Sequence, residues 1–219
     1  MAHYMASIYG TEGDPIYCTF YHKIGACLHV DSCARKHVHP TYAPVVLLPN
    51  FYQPGSHHSQ RVLDTLYENL FTELSLQYGE IKRIRICENE SEHLAGNVYI
   101  QFRRSEDALK AVEALNNRYY DGRPVYAELS PVTNFEEAVC RQHEKGACRR
   151  GGNCNFMHLV HPTSALKRDL LRAQDAYLDE RQRTPRSHRE SRAQSPDRDM
   201  SSERGKDTPT AAEATPTMA

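Results

Sequence analysis

The sequence predicts an α+β protein in which a ferredoxin-like domain stands between two small cysteine-rich modules. Three observations predict it. Two Cys-Cys-Cys-His sets recur with nearly the same spacing, and the segment between them has β-α-β-β-α-β order. The last 40 residues, 180–219, contain no Leu, Ile, Val, Phe or Tyr. The chain has 219 residues, 27 Lys+Arg against 28 Asp+Glu and a net charge of −1, which suits one medium domain with small appendages and speaks against a uniformly cationic protein. It has no apolar run of the roughly 18 residues that a membrane-spanning helix needs, so no membrane association is expected. Its first 13 residues have neither the basic start nor the continuous apolar core of a secretory signal.

The first module, 12–40, is defined by Cys18, Cys27, Cys33 and His37, spaced C-x8-C-x5-C-x3-H. Three thiolates and one imidazole form a closed tetrahedral Zn²⁺ site with no position left for substrate, so the metal is structural. His39 lies near enough to substitute for His37. Between Cys18 and His37 the cations Lys23, Arg35 and Lys36 outweigh Asp31, for a net +2, and Phe20 and Tyr21 are interleaved with them.

The central segment, 42–132, follows. Val45–Leu48 is a short apolar run and reads as the first strand. From 61 to 78, Val62, Leu66, Leu70 and Leu74 recur every four residues and Gly79 stops the pattern, which predicts a helix. Residues 81–87 place Ile81, Ile84 and Ile86 among Lys82, Arg83 and Arg85, the second strand; 97–102 is the third. Ser105 is the expected cap of a second helix, with Glu106 and Asp107 in its first turn. An Asp121-Gly122 turn then leads into a fourth strand over 124–129. This is the order of an RNA recognition motif.

The second module, 134–161, repeats the first. Cys140, Cys148, Cys154 and His158 are spaced C-x7-C-x5-C-x3-H, and Gly146-Ala147-Cys148 matches Gly25-Ala26-Cys27. His161 is the nearby alternative ligand, but only His37 and His158 keep one spacing in both modules. Arg141, Lys145, Arg149 and Arg150 against Glu144 give +3, with Phe156 among them. Two zinc ions are therefore expected. Seven cysteines, an odd count, fit metal sites better than a disulfide framework, and unpartnered Cys87 sits in an apolar run as a small hydrophobe. Beyond Pro162, Leu166, Leu170, Ala173 and Tyr177 outline an amphipathic helix over 163–179 that should pack back on the central domain or its sheet face. Residues 180–219 carry 8 cations and 7 anions without an apolar core and predict a disordered tail.

Cations for phosphates and rings for unpaired bases suit single-stranded RNA. Phe20 and Phe156 are candidates to stack on or wall bases, and Lys23, Arg35, Arg141, Arg149 and Arg150 to meet phosphates or base edges. The central sheet is a poor second platform: Ala95 and Asn97 stand where an RNA recognition motif puts a cation and a stacking ring. A degenerate domain of this kind suits protein binding, and the acidic residues Asp64, Glu68 and Glu73 with Arg118-Tyr119-Tyr120 are the candidate contacts for a tryptophan anchor, although composition alone reads the acidic stripe as a solvated helix face.

This arrangement, with Cys-Asn-Phe-Met-His (154–158), Ala-Glu-Leu-Ser-Pro-Val-Thr (127–133), Ala-Ser-Ile-Tyr-Gly-Thr-Glu (6–12) and Gly-Asn-Val-Tyr (96–99), resembles the small-subunit family of the U2 auxiliary factor in pre-mRNA splicing. The resemblance covers about 1–162 and its short tail looks fungal. It implies a nuclear protein that reads the AG dinucleotide at 3′ splice sites through its paired fingers. It also implies a central U2AF-homology motif gripping a tryptophan of the large subunit. The family commonly has Ser where this chain has Ala34, an RNA-contacting position, and Trp where it has Tyr119; the chain contains no Trp. The readings that compete are a CCCH protein for AU-rich messenger RNA and a zinc-braced adaptor without RNA specificity. An enzyme is not expected, because both metal sites are saturated by protein ligands.

Overall fold

The computed structural model describes residues 16–53 and 59–183. The Ala6–Glu12 stretch, the start of the first module and the tail from 184 lie outside the described residues. The elements run α1 (Thr19–Ile24), β1 (Val45–Leu48), α2 (Gln60–Gln77), β2 (Ile81–Cys87), β3 (Val98–Phe102), α3 (Ser105–Leu115), β4 (Tyr119–Tyr120), β5 (Arg123–Pro124), β6 (Glu128–Leu129), α4 (Phe135–Ala138), α5 (Arg141–Glu144), β7 (Leu159–Val160) and α6 (Ser164–Arg183).

Five strands form one antiparallel sheet in the order β6-β1-β3-β2-β7. Side chains alternate across a strand, and both faces are used. Val46, Leu48, Ile84, Ile86 and Ile100 pack against Leu63, Leu66, Leu70 and Leu74 of α2 and Ala108 and Ala111 of α3. Burial of each such aliphatic side chain contributes roughly 1.5–3 kcal/mol. On the opposite face Val45, Leu47, Cys87 and Tyr99 are buried under Ile24 and Phe135, Met157 and Leu159 of the two modules. Cys87 is fully buried, and burial pushes its thiol far up.

Two details differ from the pattern in the sequence. Ser105 is the first helical residue and Arg104 occupies the cap, with no side-chain bond to the helix amides. The run 124–129 is two strands. Asp121 and Gly122 both have positive φ (49° and 72°), the requirement of a tight hairpin turn, so Arg123–Pro124 pairs with Tyr119–Tyr120. The chain then bends, with Ala127 N–H donating to Asn116 Oδ1 at 2.8 Å, and only Glu128–Leu129 joins the main sheet.

The C-terminal helix lies on the helical side, since the sheet face is covered. Leu170 and Leu171 pack against the α2/α3 core. Buried Gln174 donates to Ile81 O at 3.0 Å and accepts from Ile81 N–H at 2.9 Å, closing the end of β2. The helix continues through Arg183, because Glu-Arg-Gln-Arg are good helix formers and the first breaker is Pro185.

Candidate nucleic-acid interface

Each module gathers one ligand set: Cys18, Cys27, Cys33 and His37, and Cys140, Cys148, Cys154 and His158, with the donor atoms of each set within 4.8 Å of one another. Thiolates about 2.3 Å from a tetrahedral zinc lie about 3.8 Å apart; the Cys18–Cys27 and Cys140–Cys154 sulfurs are separated by 3.6 and 3.8 Å. The Nε2 atoms of His37 and His158 are buried without a hydrogen-bond partner, as a metal-directed nitrogen is, and burial holds both imidazoles below their ordinary value. Burial pushes the Cys27 thiol up to about 12 and that of Cys154 to about 11; a coordinated dication removes such protons outright. The backbone N–H groups of His29, Arg35, Arg150 and Phe156, each two residues past a cysteine, point at sulfur and favour the thiolate. The residues fit two structural zinc ions. His39 is not in the cluster; its Nδ1 lies 2.8 Å from the Tyr21 hydroxyl.

The ligand histidines are held in the same way in both modules. Tyr21 stacks on His37 at 4.5 Å and His143 on His158 at 3.9 Å, each three residues past the first cysteine. His143 Nε2 is in turn 3.0 Å from the Glu88 carboxylate.

The two modules meet over the sheet, α1 against α4. The Phe20 and Phe156 rings are edge to face at 6.2 Å. They line a groove of about 460 Å³ together with Lys23, Arg141, Arg150 and Gln142. Phe20 is 45 % exposed, so its ring is available to a base. Lys23 also pairs with Glu137 at 3.5 Å, and the Arg150 guanidinium lies 4.0 Å from Cys154 Sγ. Ala34, Arg35 and Arg149 are exposed outside the groove lining, with Arg35 bonded to Thr19 Oγ1 at 3.4 Å. Sequence patterning missed Gln142, Glu136 and Glu137 as groove residues, because nothing in their spacing distinguishes them from solvated helix positions.

It also missed the clamp that fixes the second module. Asn89, buried in the loop after β2, donates to the carbonyls of Cys154 and Phe156 at 3.0 Å each and accepts from His158 N–H at 2.8 Å. Glu88 N–H donates to His158 O at 2.9 Å, and β7 pairs with β2 as Ile86↔Val160 and Cys87↔Leu159. The second module is thus an extension of the sheet.

On the other side of the domain, α2 and the β4–β5 hairpin flank a second groove of about 730 Å³, lined by Phe51, Arg61, Val62, Leu66, Tyr120 and Arg123. Tyr120 packs on Phe51 at 4.9 Å, whereas Tyr119 is 74 % exposed. Glu68 is exposed on α2. Arg118 is ion-paired with Glu73. Asp64 is occupied within the chain: it accepts from Thr163 N–H at 2.8 Å, from the Thr163 hydroxyl and from Gln60 at 2.9 Å. Burial raises its carboxyl, but the bonds from Thr163 and Gln60 together outweigh that and hold it below the ordinary value.

Family models bear on both parts of this architecture. Residues 64–126 match the RNA recognition motif, and residues 135–160 match a zinc finger of C-x8-C-x5-C-x3-H type. The chain is 50 % identical over 188 residues to the splicing factor U2AF 23 kDa subunit of Schizosaccharomyces pombe, covering 81 % of this chain and 87 % of that protein. It is 48 % identical over 203 residues to the splicing factor U2AF 26 kDa subunit of Bos taurus, covering 86 % and 90 %. It is also 48 % identical over 204 residues to the splicing factor U2af 38 kDa subunit of Drosophila melanogaster, covering 85 % and 74 %.

Proposed function

The chain belongs to the U2AF small-subunit family of splicing factors, and on that premise we propose that it reads the AG dinucleotide of the 3′ splice site, in the nucleus, as the partner of the U2AF large subunit. The observation that carries the reading is the groove between the two zinc modules, where Phe20 and Phe156 face each other among Lys23, Arg141 and Arg150. Rings at that spacing wall or stack unpaired bases, and the surrounding cations take up phosphates. The central sheet does not compete for RNA, because its outer face is occupied by the modules themselves: Tyr99 is fully buried there. Exposed Ala34, Arg35 and Arg149, outside the groove lining, are the further candidate contacts for the RNA.

The α2/hairpin groove is the proposed seat of a large-subunit tryptophan. Its walls are Phe51, Val62, Leu66 and Tyr120, with Arg61 and Arg123 at the rim, an aromatic-lined pocket with cationic edges of the kind that accepts an indole. Exposed Glu68 and Tyr119 border the approach. Arg118, ion-paired with Glu73, and Asp64, bonded to Thr163, are the remaining candidate contacts.

The test is fluorescence anisotropy of the zinc-loaded protein with a short U-rich RNA containing AG and with the same RNA changed to CG, each with and without a tryptophan-containing peptide. Loss of affinity on the AG change is expected, and Phe20→Ala or Phe156→Ala should each cost about 1–3 kcal/mol of RNA binding. Equal binding of both RNAs would reduce the modules to a nonspecific basic surface. A protein that holds the peptide but neither RNA would be an adaptor.

A further inference from the structure

A third groove, of about 390 Å³, continues from the finger groove across the edge of the sheet. Glu136, Val139 and Arg141 line both, so the two are contiguous and Arg141 stands at the junction. Beyond it the walls are Arg83 and Arg85 of β2 and Lys145 of the second module, over a floor that includes Phe135 and Leu159. Four guanidinium or ammonium groups thus face two carboxylates, Glu136 and Glu144. None of Arg83, Arg85, Arg141 and Lys145 forms an ion pair among the described residues. The Nε atom of Arg85 is buried without a hydrogen-bond partner, which is costly for a charged group unless a ligand supplies the acceptor. A β-bulge between Ile81 and Arg83 breaks the pairing with β3, and such a bulge re-aims the side chains beside it. The cations are close enough to repel: after burial, Arg85 and then Arg83 hold Lys167 at the start of α6 below its ordinary value.

We propose that this groove binds the phosphodiester backbone of the nucleotides flanking those held at Phe20 and Phe156, so that one RNA strand runs from the finger groove past Arg141 onto Arg83 and Arg85. The inference rests on the finger groove being the RNA site. Planar guanidinium forks match phosphate oxygens, and the excess of cations over carboxylates favours a polyanion; continuity with the finger groove selects RNA over an acidic protein.

The experiment compares a short U-rich AG RNA with the same RNA lengthened by uridines at its 5′ or its 3′ end, bound to the zinc-loaded full chain over a range of salt. Lengthening at one end should tighten binding about tenfold and steepen the salt dependence by about 1.4 in logarithmic slope, the value for two single-strand phosphates. The double variant Arg83→Gln/Arg85→Gln should lose that gain and bind the short RNA within about twofold of wild type; Arg83→Lys/Arg85→Lys should keep most of it. Because Arg85 is partly buried, the single exposed variant Arg83→Gln and a thermal midpoint for each protein separate loss of contact from loss of fold. AG-selective binding of the short RNA with no gain on lengthening, or a gain that survives the double Gln change, overturns this proposal alone. Failure of wild type to bind any of the RNAs overturns the finger reading and this one with it. Arg83/Arg85-dependent binding of a polyglutamate peptide without any effect of RNA length would make the groove a protein-docking surface and also overturn it.

Discussion

Gly25 and Gly146 hold the same place in the two modules and both adopt the left-handed region, with φ of 75° and 68°. Their surroundings differ. A Cβ on Gly25 would collide with the Ser130 hydroxyl and come within 3.2 Å of the Tyr99 ring, whereas one on Gly146 would meet nothing within 4 Å. Gly146→Ala should therefore cost only the left-handed strain of about 1–2 kcal/mol, and Gly25→Ala a further 1–3 kcal/mol or so of overpacking, read as the difference in denaturation midpoints. Tyr21 and His143 fix the ligand imidazoles, and Tyr21→Leu or His143→Leu should weaken zinc about 10–100-fold in a chelator competition. Glu128 titrates in the opposite sense to an ordinary ion-paired acid. Burial holds its carboxyl above the ordinary value, partly offset by His39 at 3.5 Å. The folded state then binds the proton more tightly than the unfolded one. Its contribution is full below the ordinary carboxylate value of about 4.3 and is lost as pH rises through the raised folded value. Glu128→Gln should accordingly gain stability over wild type at neutral pH and lose that advantage on acidification. The difference between the two proteins cancels the protonation of zinc ligands that both share.

At the level of elements, α6 carries the contacts that are easiest to test. Gln174→Ala leaves Ile81 N–H and C=O unpaired, and a buried unmatched polar group costs about 1–3 kcal/mol, so a lower thermal midpoint is expected. Leu170→Asp should lower it as well, since Leu170 packs on the α2/α3 core. The heptad-like recurrence of Leu166, Leu170 and Tyr177 made this helix visible in the sequence, but the periodicity of one element does not say which neighbour it faces. β1 and β2 were likewise legible, over 45–48 and 81–87, because alternation or an unbroken apolar run is a local property. The division of 124–129 was not, because it depends on Asn116 capturing the chain from another element.

For the molecule as a whole, the first module rests on the sheet through Ile24, and the second is joined to it by the β2–β7 pairing and by Asn89. Asn89→Ala removes three hydrogen bonds to the second module and should cost on the order of 3 kcal/mol at about 1 kcal/mol each, measured by denaturation. Removing zinc unfolds small Cys3His modules, and here it should also uncover Tyr99 and the outer sheet face. Hydrogen exchange in β2 and β3 should then accelerate on chelation; unchanged protection there would mean that the modules are independent of the sheet.

The sequence by itself determined the two ligand sets, the β-α-β-β-α-β order of the central domain and the family, because each rests on spacing or on a local repeat. It also marked Phe20, Lys23, Arg141, Arg150 and Phe156 as candidate RNA contacts. Only the tertiary structure decided that these residues, more than a hundred positions apart, line one groove. It also decided that Asp64 serves Thr163 and that Arg83 and Arg85 border the second module. The reason is physical: a zinc site closes within some twenty residues and so leaves its signature in the chain, whereas packing two modules on one sheet depends on surfaces that exist only after each part has folded.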